Sequence, residues 1–237
     1  MKAMILAAGL GTRLRPLTLD RPKALVEIGG QTLLEITLRR LASFGIREVI
    51  VNVHHFADMV TGYLKKHDNF GMRVEISRED ALLDTGGGLK KAGWFFQNDR
   101  QPFILHNVDV ISSIDLGRMV QFHQDKQALA TLAVQNRRTS RYLLFDRQGL
   151  FRARQEGEIP AGMSALAFSG LHVISPRFLG LIPENGAFSI IDCYSRLAAE
   201  GERILGFPAD EYYWRDLGRP ENILQAEEDA RSGAVQW

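Results

Sequence analysis

The sequence predicts an α/β fold with a parallel, doubly wound sheet, and three features lead to that class. Short apolar runs at 3–6 and 46–53 indicate buried strands. Between them, Thr32 and Glu35 have the spacing of a capping box, followed by leucines that recur on one helical face. The same alternation of strand and helix continues to about residue 134, as in a doubly wound layer.

Composition excludes several classes of function for these 237 residues. A formal net charge of +1 argues against nucleic-acid or membrane binding driven by bulk charge. No stretch approaches the length of a membrane span, and the apolar run after Lys2 is too short for a signal peptide. The single cysteine, Cys193, rules out an internal disulfide and suits a reducing compartment. We expect a cytoplasmic protein, either a monomer or a homo-oligomer.

The first predicted strand ends in a loop rich in small and cationic residues. Small residues let backbone N–H groups approach a ligand closely, and fixed cations beside them suit a polyphosphate. Two common phosphate loops are excluded by spacing: Gly11 is followed by Thr12 and Arg13, unlike a P-loop, and Leu14 stands where the dinucleotide fingerprint needs a small residue. The small residues are Ala7, Ala8, Gly9 and Gly11, and the cations are Arg13, Arg15 and Lys23.

The segment 6–18 has a recognisable signature. It reads Leu-Ala-Ala-Gly-Leu-Gly-Thr-Arg-Leu-Arg-Pro-Leu-Thr and is followed by Arg-Pro-Lys-Ala-Leu at 21–25. Both halves closely resemble the motif of the sugar-1-phosphate nucleotidyltransferases, also called NDP-sugar pyrophosphorylases. The resemblance implies a Rossmann-like α/β/α sandwich with a mixed, mainly parallel central sheet, the nucleotide-diphospho-sugar transferase fold. It also implies transfer of a nucleotidyl group from an NTP to a sugar 1-phosphate, giving an NDP-sugar and pyrophosphate.

Within that family, the chain looks most like short bacterial members: the N-acetylmuramate-1-phosphate uridylyltransferases and the manno-heptose-1-phosphate guanylyltransferases. Shared features are Leu-Ala-Ala-Gly, the Pro-Lys turn and Thr-Gly-Gly-Gly at 85–88. Such enzymes serve nucleotide-sugar biosynthesis for the bacterial cell envelope. UTP is slightly preferred as the donor, while the base and the sugar stay open. No Gly/Ser/Pro linker divides the chain, so we predict one domain over 1–237, with nucleotide bound by about 1–134 and sugar phosphate by about 135–237.

Four residues match the family's catalytic positions. Arg13 has the planar fork suited to the β- and γ-phosphates, and Lys23 supplies a point charge for the α-phosphate. Asp109 and Asp216 would hold Mg²⁺, which takes only one or two protein carboxylates. Alternatively, Asp109 caps a turn and Asp216 pairs with a neighbouring arginine. The resemblance implies nucleotide contacts for Leu6, Ala7, Ala8, Gly9, Gly11, Thr12, Arg13, Lys23, Gly86 and Gly87.

Two further segments are candidates for the base and the sugar. Residues 84–88, Asp-Thr-Gly-Gly-Gly, resemble the family loop whose bare backbone holds the base, although three glycines could also form a flexible turn. Asn107, Ser169 and Gly170 match positions close to the sugar. Gly170 lies between predicted strands at 166–168 and 171–174, where a glycine is also common as a bulge.

One residue departs from the family pattern. Val108 stands before Asp109, where similar proteins usually have glycine, and its Cβ restricts the backbone beside the substrates. This departure supports a first alternative, a catalytically silent regulatory subunit that binds nucleotide sugars. A second alternative is a nucleotidyltransferase that acts on a cofactor precursor.

Overall fold

The computed structural model describes residues 1–235, which contain both strands and helices. The strands are β1 Lys2–Leu6, β2 Glu27–Ile28, β3 Gln31–Thr32, β4 Glu48–Val53, β5 Arg73–Arg78, β6 Phe103–Asn107, β7 Val110–Ser112, β8 Ala130–Gln135, β9 Tyr142–Phe145, β10 Phe151–Arg154, β11 Ser164–Ile174, β12 Ile204–Pro208 and β13 Trp214–Asp216. The helices are α1 Leu33–Ser43, α2 Ala57–Lys66, α3 Asp84–Ala92, α4 Leu116–Asp125, α5 Ile190–Ala199 and α6 Pro220–Arg231. Within 1–235, no helix combines the length and apolar character needed to cross a bilayer.

The first helix begins as its sequence predicts. Thr32 is the N-cap of α1, and its hydroxyl oxygen accepts the backbone N–H of Glu35 at 3.1 Å. Leu34, Leu38 and Leu41 are all buried, so the leucine face that the spacing predicts is the face that packs. The predicted helix and its cap are confirmed.

The chain forms two compact units. Unit 1 comprises 1–82, 106–114 and 213–235. Its strand β4 pairs in parallel with β1 on one side and β5 on the other, which sets Asn52 opposite Leu6 and Ser77. In the same unit β7 pairs antiparallel with β13, and the backbone N–H of Leu217 donates to the carbonyl of Asp109 at 2.7 Å. The predicted single domain with halves that meet near residue 134 stays a prediction.

Unit 2 comprises 83–105 and 115–212 and contains strands of both directions. Strand β8 pairs in parallel with β12 and antiparallel with β11, and β9 pairs antiparallel with β10 and β11. The mixed sheet of an α/β fold is therefore confirmed.

Two local predictions in unit 2 are wrong. The strands predicted at 166–168 and 171–174 are one strand, β11, because a bulge with Gly170 at φ +78° shifts the register between Phe168 and His172 without ending the strand. The loop predicted at 84–88 is instead the first turn of α3, and its glycines are buried. A Cβ on Gly86 would lie 2.4 Å from the Phe188 ring and one on Gly87 2.3 Å from the carbonyl oxygen of Gly186, so the close packing requires glycine at both positions.

Candidate active site

The loop after β1 is held in shape by its own hydrogen bonds. The carbonyl of Gly11 accepts the hydroxyl of Thr18 at 2.8 Å and the backbone N–H of Leu14 at 2.9 Å. Gly11 has φ +63°, and a Cβ there would lie 3.0 Å from the methyl carbon of Thr18. Glycine is therefore required at this turn. The same turn leaves the Arg13 side chain exposed, available to an anionic ligand.

An ion pair joins the loop to the end of β6. The ammonium nitrogen of Lys23 lies 2.9 Å from Oδ2 of Asp109, and the two side chains are only 14% and 11% exposed. A Cβ on Gly9 would lie 3.6 Å from the same nitrogen, so the cation faces the backbone of the glycine loop. The structure thus brings three predicted site residues together: Gly9, Lys23 and Asp109.

The charge on Asp109 is controlled by its surroundings. Burial raises the pKa of this carboxyl, but the charge and hydrogen bond of Lys23, with a smaller effect of Arg13, outweigh burial and hold the pKa below its ordinary value. Asp109 is therefore a carboxylate at neutral pH.

Arg13 and Asp216 both lie against Gly218. The backbone N–H of Gly218 donates to Oδ1 of Asp216 at 2.6 Å. A Cβ built on Gly218 would lie 2.7 Å from that oxygen and 2.9 Å from a guanidinium nitrogen of Arg13. The neighbouring arginines have other partners: Arg215 contacts Asp229 at 2.7 Å, and Arg219 lies 3.6 Å from Glu221.

Residues 106–108 set the backbone just before Asp109. Asn107 is half-buried at the end of β6, and its carbonyl accepts Nδ1–H of His106 at 2.7 Å. Burial, helped by the charge of Arg40, lowers the pKa of His106 to about 4, so this ring is neutral at physiological pH. Val108 donates its N–H to the carbonyl of Leu6 at 3.1 Å, and its side chain is buried. The core thus accommodates the Cβ that departs from the family pattern.

The donor set in unit 1 fits a hard cation. Asp109 and Asp216 offer carboxylate oxygens, the ligand type that Mg²⁺ prefers, and Mg²⁺ takes its remaining ligands from water and phosphate. Across the described residues, no group of three or more His, Cys, Asp or Glu side chains is gathered to hold a metal on protein ligands alone.

Apart from Asn107, the residues predicted to hold the base and the sugar lie in unit 2. The backbone N–H groups of Gly86 and Gly87 are directed at the carbonyl of Phe188, at 2.9 and 3.4 Å, so both already have an acceptor within the unit. Ser169 is fully buried, and its hydroxyl donates to Oε1 of Gln135 at 3.3 Å. The predicted contacts of these residues, and of Gly170, with the base and the sugar stay predictions.

Replacing Gly87 with alanine is expected to lower the free energy of unfolding by about 1–3 kcal/mol, because a buried atom is forced into a packed region. The new Cβ would lie 2.3 Å from the backbone carbonyl oxygen of Gly186, which cannot rotate away. Urea unfolding measures the free energy of unfolding of this variant and of a matched control, Gly180→Ala. Nothing lies within 4 Å of a Cβ at position 180 of unit 2. Equal midpoints for the two variants would contradict the expected clash.

Sequence reasoning missed three residues of unit 1. Asn52 and Glu79 are buried, and the amide of Asn52 joins Glu79 to the backbone of Ala7 in the loop. A polar residue within the apolar run 46–53 was the available signal. Gly218 was missed because its importance comes from the groups on either side of its Cα, which only the fold brings there.

The fold and site together define a class: an α/β protein with cations and carboxylates gathered beside a glycine-rich loop. Residues 2–233 match the family described as nucleotidyl transferase, and the chain belongs to this family. An N-acetylmuramate alpha-1-phosphate uridylyltransferase from Caulobacter vibrioides is 35% identical over 95% of each chain. A mannose-1-phosphate guanyltransferase from Yarrowia lipolytica is 31% identical over 94% of this chain, which spans 62% of that enzyme's length.

The fold has solved counterparts as well. The crystal structure of HddC from Yersinia pseudotuberculosis, complexed with GMP-PN, superposes with a TM-score of 0.78 at 24% identity, covering 97% of this chain and 99% of that chain. The nucleotide-diphospho-sugar transferase fold, with its mixed, mainly parallel sheet and helices on both sides, is confirmed. The predicted enzyme class, a sugar-1-phosphate nucleotidyltransferase that makes an NDP-sugar and pyrophosphate, is confirmed by the family and its relatives.

Proposed function

We propose that the chain is a Mg²⁺-dependent uridylyltransferase whose acceptor is the 1-phosphate of N-acetylmuramate or a closely related amino sugar. The Caulobacter relative, matched over 95% of both chains, supports this donor and this acceptor. The single observation that carries the mechanism is the buried contact of Lys23 with Asp109 beside the glycine loop. A cation and a carboxylate held in contact beside this loop support the binding of a nucleoside triphosphate together with its metal.

The reaction is a displacement at phosphorus. A phosphate oxygen of the sugar 1-phosphate bonds to the α-phosphorus of UTP, and the bond from that phosphorus to the oxygen bridging the β-phosphate breaks. Pyrophosphate leaves with that bridging oxygen. Both reactants are polyanions, so the protein must offset their repulsion and the charge that builds up on the leaving group.

Lys23 and Arg13 would share this electrostatic task. The Lys23 ammonium faces the loop backbone at Gly9 and would stabilise charge at the α-phosphate. Arg13 is exposed on the loop and would bind the β- and γ-phosphates through its planar fork. Before substrate arrives, Asp109 compensates the charge of Lys23. Asp109 and Asp216 would hold Mg²⁺, which supplies further neutralisation of the triphosphate when bound.

Pyrophosphate release tests this function directly. The wild-type enzyme is expected to release pyrophosphate with Mg²⁺, UTP and N-acetylmuramate 1-phosphate. Glucose 1-phosphate and mannose 1-phosphate, with GTP, CTP, ATP and dTTP as donors, give the comparison panel. The Asp109→Ala variant, assayed in parallel, is expected to lose about a hundredfold or more in turnover. Faster release with GTP than with UTP would contradict the proposed donor.

The alternatives predict other outcomes in the same panel. A silent regulatory subunit would bind nucleotide and release no pyrophosphate with any pair of substrates, and Val108→Gly would then be the next variant to assay. A nucleotidyltransferase that acts on a cofactor precursor would release no pyrophosphate with any of the sugar phosphates. The buried, hydrogen-bonded Val108 and the intact Lys23–Asp109 pair support the active enzyme. Its cytoplasmic location and a role in the bacterial cell envelope belong to the same proposal.

A further inference from the structure

A buried side chain of unit 1 reaches the glycine loop from the neighbouring strand. Strand β1 ends at Leu6, whose partner on β4 is Asn52, so the N–H of Ala7 lies just past the last paired residue. Oδ1 of Asn52 accepts that N–H at 2.8 Å, and both residues are almost completely buried. A side-chain amide thus takes the role of a backbone hydrogen-bond acceptor at the point where the chain leaves the sheet and enters the loop.

The other half of the Asn52 amide is fixed as well. Its Nδ2 donates to Oε1 of Glu79 at 2.7 Å, and Glu79 is also buried. The backbone of Glu79 is held in turn, since its N–H donates to the carbonyl of Val53 at 2.8 Å and its own carbonyl contacts Nδ1 of His54 at 2.8 Å. A carboxylate can only accept, so Glu79 orients the Asn52 amide with its oxygen toward Ala7.

Given the proposed function, we infer that Asn52 is a positioning residue for the nucleotide-binding loop. We define the Asn52 bridge as two hydrogen bonds, from Ala7 N–H to Asn52 and from Asn52 to Glu79. This bridge fixes the direction in which the chain leaves β1. The residues that follow, Ala8 and Gly9, then present their backbone to the phosphates beside Lys23. Loss of the bridge should weaken nucleotide binding far more than binding of the sugar phosphate, because the loop is the part that it orients.

The substitution Asn52→Asp breaks the contact of residue 52 with Glu79 with almost no change in volume, while an oxygen that can accept from Ala7 remains. It sets a carboxylate oxygen against Glu79 where the amide nitrogen was 2.7 Å away. The expected result is a KM for UTP raised about tenfold to hundredfold, because a buried polar contact becomes repulsive. The KM for the sugar phosphate should change less than about threefold, because the bridge orients the nucleotide-binding loop and the substitution leaves the sugar-phosphate contacts in place.

The double variant Asn52→Asp, Glu79→Gln supplies the matched rescue. The carboxylate introduced at position 52 would accept from Ala7 and from the amide introduced at position 79, so both contacts of the bridge are complementary again and the net charge equals that of the wild type. The KM of this double variant for UTP is expected to return to within about threefold of the Glu79→Gln single variant, and the double-mutant cycle then measures the coupling between the two positions. A purely structural role would raise both KM values together, or lower turnover alone, and would overturn the inference.

Two failures can be told apart. If the wild type releases no pyrophosphate in the substrate panel, the proposed function fails, and calorimetric titration of UTP into the four proteins still tests the bridge. If the wild type is active and Asn52→Asp keeps the wild-type KM for UTP, or if the double variant recovers nothing, only the role of Asn52 is overturned. Thermal midpoints of all four proteins show that each is folded at the assay temperature.

Discussion

Replacing Lys23 with methionine is expected to lower turnover about a hundredfold or more, the usual cost of removing a charge that stabilises the transition state. Methionine keeps most of the side chain's length and removes only its charge and donors. The same change leaves the buried Asp109 carboxylate without its ion-pair partner, which lies 2.9 Å away in the wild type. Breaking such a buried pair costs about 3–5 kcal/mol of unfolding free energy. Pyrophosphate release and urea unfolding measure the two effects separately.

The stability loss caused by Lys23→Met is expected to depend on pH, and its direction follows from the pKa of Asp109. In the wild type, the pKa of Asp109 lies below its ordinary value, so its contribution to stability is present at neutral pH and is lost as pH falls through the folded-state pKa. Without Lys23, burial dominates and raises that pKa, so the ionised group destabilises the fold and protonation relieves it. The difference in unfolding free energy between wild type and variant should therefore shrink as pH is lowered.

Lys65→Met is the matched control, because Lys65 is an exposed lysine of the same unit in the last turn of α2. Its turnover should stay within about twofold of the wild type, and its stability within about 0.5 kcal/mol at every pH, as for most surface substitutions. A Lys23→Met enzyme that is as active as this control would refute the role given to the Lys23–Asp109 pair. A constant stability difference across pH would refute the account of the pKa.

The sequence could predict the parts of the site that are contiguous in the chain. The glycine loop, its cations and the aspartate after β6 follow from local spacing, and the structure places Lys23 against Asp109. The helix cap at Thr32 was predictable for the same reason, since a cap depends on residues three apart. In such cases one short segment contains the whole physical cause.

What could not be predicted depends on residues distant in the sequence. The glycines at 86 and 87 suggested a loop that holds the base or a flexible turn, but this segment begins a helix in which the carbonyl of Phe188, about a hundred residues away, accepts from the backbone of Gly86. Ser169 is buried and donates to Gln135, a contact that no local pattern predicts, and its predicted sugar contact stays a prediction. Asn52 stands as a polar residue in an otherwise apolar strand, but the sequence does not indicate which groups its side chain contacts. In each case the environment of the residue depends on tertiary contacts, which local sequence patterns do not predict.

Replacing Gly218 with alanine is expected to lower turnover at least about tenfold while the fold stays intact, since small displacements of catalytic groups are costly to rate. The added Cβ would lie 2.7 Å from Oδ1 of Asp216 and 2.9 Å from a guanidinium nitrogen of Arg13. Both atoms are at the ends of flexible side chains, so they can move aside at little cost in stability. They are also the atoms assigned to the metal and to the triphosphate, so the movement itself is what impairs the reaction.

The control for this substitution is Gly62→Ala, an exposed helical position of the same unit with nothing within 4 Å of a new Cβ. This control should keep full turnover and gain slightly in stability, because alanine is favoured over glycine within a helix. The two variants add the same single methyl group, so only its location differs. If Gly218→Ala matched the control in turnover, Arg13 and Asp216 would not act from the positions that they occupy around Gly218. If it lost stability in urea together with activity, the neighbouring groups would be rigid supports of the fold, and their assignment to the metal and the triphosphate would fail.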